Sequence, residues 1–382
     1  MHDCLLSEEQ RMIRDSARSF GREQLAPSAA ERDRTKAFPR AEMAALGELG
    51  FLGMLVSEEW GGVAADHVSY VLAVEEISAA DGSIGAMMAL HNGLISTPLR
   101  VHGTEAQKER YLRPLARGSM NGAFGLTEPE AGSNAFAIRT KAVKCKGGYR
   151  ISGAKQIMSN GKSADIAIVF AATESDDPRR RITAFLVPPA SEGYSAVRVE
   201  EKLGLGASET CQVQLDDVFV PDDHVLGAPG SGYALAMSTL ELGRLGIAAQ
   251  SIGLARAAFE HAHAYALDRQ TFGKPIIEHQ AVGFRLAEMQ TQVEVGRSFL
   301  HQVARMRDLG QPCKSEAAMA KLFASEIAEK VASEAIQVHG GYGYLKDFAV
   351  ERIYRDARIC RIYEGTSDIQ KMIIAGALAK RN

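Results

Sequence analysis

The sequence predicts a mainly α-helical protein with a β-domain at its centre. Three observations support this fold class, one from each of three successive zones of the chain. The first zone has apolar residues at helical spacing, the second has short apolar or alternating runs, and the third has long helical periods. A chain of 382 residues is too long for one ordinary core, which favours several domains. We therefore place a helical domain at about 1–120, a β-domain at 121–228 and a helical bundle at 229–382.

The first zone carries two sequence signals for the start of a helix. Ser7 and Gln10 form the first and fourth positions of a capping box, in which each side chain bonds the other residue's backbone N–H. Thr104 and Gln107 repeat the pattern, and Gly118 is a suitable stop for the helix that they begin. The N-terminal domain is therefore predicted to consist of helices.

The second zone reads as short strands separated by turns. Gly147 and Gly148 precede a β-prone run, which predicts a hairpin. Residues 166–170 and 182–187 are apolar runs of strand length, and residues 212–216 alternate between polar and apolar side chains. Several such strands predict a small barrel or sandwich.

The third zone is helical again, and its long periods predict an antiparallel bundle. Apolar residues recur every four positions at Met319, Phe323, Ile327, Val331 and Ala335. Gly340 with Gly341 forms a plausible stop. The polar flanks of this helix are supplied by Glu316, Lys321, Glu326, Glu329 and Lys330.

Charge and cysteine usage exclude several classes of function. The net charge of −3 and the pI of about 6.4 give no electrostatic reason to expect nucleic-acid or membrane-surface binding. No apolar run approaches the ~20 residues of a membrane span, and the N-terminus lacks a secretory pattern. The 5 cysteines are scattered without C-x-x-C spacing. We expect a cytoplasmic protein with reduced thiols, no metal site and no membrane insertion.

A nicotinamide-binding fingerprint is also missing. Gly204 and Gly206 begin a G-x-G pattern, but the third glycine of G-x-G-x-x-G is absent, and Gly341 with Gly343 fails in the same way. The sequence therefore does not predict a nicotinamide-dependent dehydrogenase.

Four segments carry a more specific signal. They are GAFGLTEPEAGSN at 122–134, DRQTFGK at 268–274, QVHGGYG at 337–343 and ICRIYEGTSDIQ at 359–370. In this order they resemble the signatures of the acyl-CoA dehydrogenase family, over essentially the whole chain. The resemblance implies a C-terminal four-helix bundle, bound FAD, a homotetramer and an electron-transfer flavoprotein as electron acceptor. It also implies α,β-dehydrogenation of an acyl-CoA thioester to the trans-2-enoyl-CoA.

Glu364 matches the family's catalytic base. The α-proton of a thioester is weakly acidic, so its removal needs a positioned carboxylate in a dry site. Some members carry the base on a bundle helix instead, but Gly243 occupies that position here and cannot take a proton. The resemblance implies that the Glu364 N–H and a flavin hydroxyl hold the thioester carbonyl. The positions that it assigns to the acyl-CoA are Ser133, Glu241, Arg244 and Gly365.

The resemblance also assigns cofactor contacts. They fall on Phe124, Leu126, Thr127, Ile157, Ser159, Arg269, Thr271, Phe272, His279, Gln280, Gln337, Gly340, Gly341, Thr366 and Asp368. Arg269 is expected to bind the FAD pyrophosphate of the neighbouring subunit, because its guanidinium fork suits phosphate oxygens. Ile157 departs from the family pattern, in which Trp or Phe is common, so aliphatic packing replaces aromatic contact at the flavin.

Two other hypotheses remain open from the sequence. An oxidase of the same superfamily would give its electrons to oxygen, and Ile157 is compatible with it. A flavin-bearing relative could instead act as a binding protein, for instance on nucleic acid, although the charge and the intact Glu364 argue against this. The length and branching of the acyl group are not readable, since single side chains such as Met88 or Leu94 could close the cavity.

Overall fold

The computed structural model describes residues 3–177 and 180–379. The first zone is helical, as predicted. Its helices are α1 (Glu8–Phe20), α2 (Ala29–Thr35), α3 (Arg40–Glu48), α4 (His67–Ala80), α5 (Gly82–Leu90), α6 (Thr97–His102), α7 (Glu105–Gln107) and α8 (Arg113–Ala116). Both predicted capping boxes are present, at Ser7 with Gln10 and at Thr104 with Gln107. A π-helical segment, His91–Ser96, continues α5 towards α6.

The second zone forms one sheet that wraps around its own core. Its strands are β1 (Gly122–Gly125), β2 (Lys141–Cys145), β3 (Gly148–Ser159), β4 (Ile166–Ala172), β5 (Ile182–Val187), β6 (Tyr194–Val199), β7 (Thr210–Pro221) and β8 (Val225–Leu226). The order is β6-β7-β3-β2-β4-β5-β8, with β1 parallel to β4. The hairpin at Gly147 joins β2 to β3. These strands confirm the predicted central β-domain.

Alternation along the strands fills both faces of this sheet. On β4, Ile166, Ile168 and Phe170 pack against N-terminal helices, while Ala167 and Val169 point to the opposite core. That second core also receives side chains from β3, β5 and β7, so the two halves of the sheet enclose it. The β-domain is thereby fixed against the N-terminal helices on one face.

The third zone contains the long helices. They are α9 (Gly232–Asp268), α10 (Gln280–Asp308), α11 (Lys314–His339), α12 (Ala349–Arg358) and α13 (Ser367–Leu378), with a short hairpin of β9 (Gln270–Thr271) and β10 (Lys274–Pro275) after α9. One apolar core joins α9, α10 and α11 to α4 and α5. In the described ranges, no helix has both the length and the apolar character required to cross a bilayer. The helical C-terminal domain is confirmed, and the boundaries at 120/121 and 228/229 stay predictions.

One prediction for α11 is wrong. Ile327, Val331 and Ala335 are buried and the helix ends at His339, as the pattern predicts, but Lys321 is fully buried rather than on the polar flank. The neighbouring apolar residue Phe323 is 39% exposed. The buried stripe of α11 is therefore wider than its apolar residues indicate, because the helix packs against α9, α12 and α13 at once.

Candidate active site

A cavity of about 360 Å³ lies where the three domains meet. Its walls come from α5, β1, β3, α9 and the turn that precedes α13. Predicted site residues that line it are Phe124, Leu126, Thr127, Ser133, Ile157, Ser159, Arg244, Glu364, Gly365 and Thr366. Most of the remaining wall is apolar. The fold thus brings segments from positions 86 to 369 of the chain around one space.

Glu364 points a shielded carboxylate oxygen at this cavity. The residue as a whole is half-buried, but its Oε2 atom is hidden from solvent and has no hydrogen-bond partner among the described residues. Burial raises the pKa of Glu364 to about 7, although the charges of Lys321 and Arg244 oppose the rise. A carboxyl group that changes its charge near neutral pH is suited to accept a proton from a weak carbon acid.

The backbone that presents Glu364 is strained. Its φ is 52°, in the left-handed region that non-glycine residues rarely adopt, and Gly365 follows with φ 94°. Such a conformation costs on the order of 1–3 kcal/mol and persists only where surrounding contacts enforce it. Thr366 then caps α13 by accepting the Ile369 N–H. This turn aims the carboxylate inwards before the helix begins.

Gly243 on α9 provides the space that the Glu364 carboxylate occupies. A Cβ atom placed on Gly243 would lie 1.9 Å from Glu364 Oε2 and 3.0 Å from Leu94 Cδ2. The absence of a side chain there is therefore a steric requirement for the observed carboxylate position, in addition to removing a rival base.

Gly243→Ala is expected to displace the Glu364 carboxylate and to slow the proton abstraction that the sequence resemblance implies for Glu364 by about 10²-fold, since misplacement by about 1 Å can cost that much. Stopped-flow kinetics with an acyl-CoA thioester, the substrate class that the resemblance implies, measures the effect. Gly376→Ala is the matched control, because a Cβ there meets nothing within 4 Å. An unchanged rate in Gly243→Ala would show that the carboxylate tolerates the displacement.

Arg244 supplies a positive charge to the cavity. Its residue is 5% exposed, and its Nε and Nη1 atoms have no hydrogen-bond partner among the described residues. Burial lowers its pKa, while Glu241 and Glu364 act in the opposite direction. Glu241 does not line the cavity; it forms an ion pair with Arg307 at 3.2 Å. A buried guanidinium with free donors is suited to a polar or anionic ligand.

A second group of predicted residues lies around another cavity, of about 440 Å³, beside the end of α11. Arg269, Thr271, Gly340 and Gly341 line it. The Arg269 guanidinium lies 5.7 Å from the centre of the Tyr342 ring. Cβ atoms placed on Gly340 or Gly341 would meet nothing within 4 Å, so the backbone there faces open space. The two groups of predicted residues are therefore separate within one chain.

The remaining predicted residues line neither cavity. The Phe272 ring is 97% exposed at the tip of the β9–β10 hairpin, 5.9 Å from the His279 ring. The His279 Nε2 atom lies 3.0 Å from Thr271 Oγ1. Gln280 begins α10 and Gln337 lies in the last turn of α11. Asp368 is exposed in the first turn of α13, with Lys371 Nζ at 3.7 Å.

Models of the acyl-CoA dehydrogenase family match all three zones of this chain. The N-terminal domain matches residues 7–119, the middle domain residues 123–218 and the C-terminal domain residues 230–379. The chain belongs to the acyl-CoA dehydrogenase family. It is therefore an oxidoreductase of the acyl-CoA dehydrogenase class, as the sequence motifs predict.

Individual relatives are similar over nearly their whole length. An acyl-CoA dehydrogenase of Bacillus subtilis is 43% identical, over 97% of this chain and 98% of its own. The caffeyl-CoA reductase-Etf complex subunit CarC of Acetobacterium woodii is 39% identical, over 98% of this chain and 99% of its own. The solved butyryl-CoA dehydrogenase of Megasphaera elsdenii has a TM-score of 0.96 and 39% identity, covering 98% of this chain and 99% of its own.

Sequence motifs did not reveal the apolar end of the cavity in this acyl-CoA dehydrogenase. Met87, Leu90, Leu240 and Ile247 line it from α5 and α9. Leu94 lines it as well, whereas Met88 is fully buried outside it. These residues look like ordinary core side chains, so only the helix crossing identifies them. No group of three His, Cys, Asp or Glu side chains in the described chain could hold a metal ion.

Proposed function

We propose that this acyl-CoA dehydrogenase oxidises a short-chain acyl-CoA to its trans-2-enoyl-CoA, with Glu364 as the base and FAD as the cofactor. The observation that carries the proposal is the shielded Glu364 Oε2, which has no hydrogen-bond partner in the part of the chain that the structure describes and faces a mainly apolar cavity. Its raised pKa and its enforced backbone conformation support the assignment.

The chain's own residues account for the proton transfer. The Glu364 carboxylate accepts the α-proton, and the apolar wall excludes water that would compete for it. The Glu364 N–H makes none of the backbone hydrogen bonds found in the described loops and turns, so it is available to the thioester carbonyl. A donor aimed at a developing oxyanion contributes about 2.7–4 kcal/mol in other enzymes. Ser133 and Arg244 line the same cavity, which supports their assignment to the rest of the acyl-CoA.

The residues present fit a flavin. Ile157, with φ 48°, is 56% exposed although it lines a cavity, so this apolar surface needs a ligand to cover it. Thr127 and Ser159 place hydroxyl-bearing side chains beside it. Bound FAD would supply the acceptor for the β-hydride. Arg269 and the open backbone at Gly340 and Gly341 are suited to the pyrophosphate of a neighbouring subunit's cofactor.

The remaining predicted contacts belong to the same proposal. Phe272, His279 and Gln280 would reach the neighbour's cofactor from the hairpin and the start of α10. Gln337 and Asp368 would do so from the helices beside it. The nearly full exposure of the Phe272 ring supports a second subunit that covers it, and thus the homotetramer that is typical of the family.

A short substrate and a flavoprotein acceptor are supported by the relatives. The similar Megasphaera elsdenii structure is a butyryl-CoA dehydrogenase, and the similar Acetobacterium woodii protein is a subunit of a complex with Etf. We therefore infer that electrons leave this enzyme through an electron-transfer flavoprotein. The cytoplasmic location stays a prediction.

An oxygen-free titration of the purified protein with butyryl-CoA tests the proposal. The oxidised flavin spectrum is expected to bleach within one equivalent of substrate per site, and crotonyl-CoA is expected as the product. Reoxidation by electron-transfer flavoprotein should outpace reoxidation by oxygen. A colourless protein, or a spectrum that no acyl-CoA bleaches, would contradict the proposal, and rapid hydrogen peroxide release would indicate an oxidase.

A further inference from the structure

Lys321 is a buried cation beside the turn that carries Glu364. It lies on α11 and is 0% exposed, and its Nζ donates to the Gly365 carbonyl oxygen at 2.8 Å. No carboxylate in the described chain lies within 4.0 Å of this ammonium, whereas the buried Lys155 is paired with Glu128 at 2.7 Å. An ammonium group buried without a carboxylate partner is costly, which calls for a function.

The same carbonyl is held from the other side by Gln370 on α13. Its Nε2 donates to the Gly365 carbonyl oxygen at 2.8 Å and to the backbone carbonyl oxygen of Glu364 at 3.3 Å. Gln370 is also 0% exposed. These contacts fix the two left-handed residues of the turn from two helices, and thereby offset the strain at Glu364. A neutral amide is sufficient for the hydrogen bonding, so the positive charge of Lys321 has a separate effect.

The groups that face the Glu364 carboxylate define that effect. Arg244 approaches from α9 and Lys321 from α11, and both favour the ionised carboxylate. Tyr70 from α4 and Tyr363 in the turn remain neutral, because burial raises both of their pKa values. Cys360 is likewise held as a neutral thiol by burial. Arg361 carries a further charge near Lys321, but it is paired with Glu329 at 2.7 Å.

We propose that Lys321 is a positioning residue of this acyl-CoA dehydrogenase, which holds the Glu364 turn through the Gly365 carbonyl and keeps the carboxylate ionised for proton abstraction. The proposal rests on the proposed role of Glu364 as the base. Burial lowers the pKa of Lys321 to about 8, and the charge of Glu364 acts against this. The two groups therefore titrate close together, and the ionised pair is the form that reacts.

Three substitutions separate the charge from the hydrogen bond. Lys321→Gln keeps an N–H donor for the Gly365 carbonyl but loses the charge, and Lys321→Arg keeps the charge. Gln370→Met removes the hydrogen bonds of the opposite side and changes no charge. The readout is the pH dependence of kcat/KM, whose acid limb reports the base of the free enzyme.

The base must be ionised to act, so kcat/KM rises as the pH rises through the pKa of Glu364. In Lys321→Gln the acid limb is expected to move to higher pH by about one unit, because a positive charge that favours the ionised Glu364 carboxylate has been removed. Lys321→Arg should keep the acid limb at its wild-type pH. Gln370→Met should lower kcat/KM without moving the acid limb. A lower rate with an unmoved limb in Lys321→Gln would overturn the proposal and leave the role of Glu364 intact.

A reciprocal measurement covers the case in which Lys321→Gln does not fold. Because the coupling between two charges is mutual, the pKa of Lys321 should fall in Glu364→Gln. Selective ¹⁵N labelling of lysine allows the Lys321 ammonium to be titrated by NMR in both proteins. An identical Lys321 pKa would overturn the proposal. Unimpaired flavin reduction in Glu364→Gln would instead overturn the proposed function itself.

Discussion

Glu364→Gln is expected to abolish flavin reduction by butyryl-CoA while binding of FAD and of the thioester remains. The substitution keeps the size and shape of the side chain but removes the group that accepts the proton. General-base catalysis contributes about 10²–10⁴-fold, so a loss in this range is the minimum expected. Anaerobic stopped-flow measurement of the visible absorption of the oxidised flavin follows the reaction directly.

Two comparisons make this prediction specific. Glu192→Gln removes an exposed carboxylate on the β-domain and should leave the reduction rate unchanged. Tight binding of crotonyl-CoA to Glu364→Gln, seen as a perturbed flavin spectrum, would show that the site is intact. Bleaching of Glu364→Gln at the wild-type rate would mean that another group takes the proton. That group would not be a carboxylate at the alternative family position, because Gly243 occupies it.

The second large effect concerns a buried ion-pair cluster between the N-terminal helices and the C-terminal bundle. Glu75 on α4 pairs with Arg297 on α10 at 2.8 Å and with Arg256 on α9 at 3.1 Å. The side chain of Glu75 is 3% exposed, that of Arg297 6% and that of Arg256 10%. Burial opposes ionisation of Glu75, but Arg297 and Arg256 hold its pKa at about 2. One carboxylate thus links α4 of the N-terminal domain to α9 and α10 of the C-terminal bundle.

Glu75→Gln is expected to reduce the free energy of unfolding by about 1–3 kcal/mol, because Arg297 and Arg256 lose a buried charged partner while each keeps a second carboxylate, Glu294 and Glu76 respectively. Chemical denaturation at fixed protein and FAD concentrations measures the change. The pKa of Glu75 in the folded state lies below its ordinary value, so its stabilising effect is present above about pH 4.5 and is lost as the pH falls towards 2.

Glu31→Gln serves as the control for this prediction. Glu31 pairs with Arg34 at 2.6 Å, but both side chains are exposed, at 57% and 72%. Exposed ion pairs are screened by water and salt, so no measurable change in stability is expected. Equal changes in the free energy of unfolding for Glu75→Gln and Glu31→Gln would contradict the view that the burial of ion pairs, and not their number, determines the stability.

Local patterns in the sequence predicted the local structure well. The capping boxes at Ser7 and Thr104, the hairpin at Gly147 and the stop at Gly340 all depend on neighbouring residues, which a single sequence displays. The family motifs then pointed to Glu364 and to nine other residues of the 25 that line its cavity. Their roles stay predictions until a ligand is bound.

Contacts between distant segments were not readable in the same way. Lys321 is charged and lies outside the apolar repeat of α11, so the periodicity indicated a polar flank. Its burial results from α9, α12 and α13 packing on the same helix. The steric relation between Gly243 and Glu364 joins positions from different helices, and no pattern within either segment encodes it. The cluster around Glu75 has the same origin, since each member resembles an ordinary surface charge.

Hydrogen exchange on acetyl-CoA tests the central claim most directly, because acetyl-CoA has α-hydrogens but no β-carbon and cannot be dehydrogenated. In D₂O, the wild-type enzyme is predicted to exchange the methyl hydrogens of acetyl-CoA well above the rate of the uncatalysed reaction. Glu364→Gln is predicted to show only the uncatalysed rate. Equal exchange by the two proteins, measured by NMR or mass spectrometry, would contradict the assignment of Glu364 as the base.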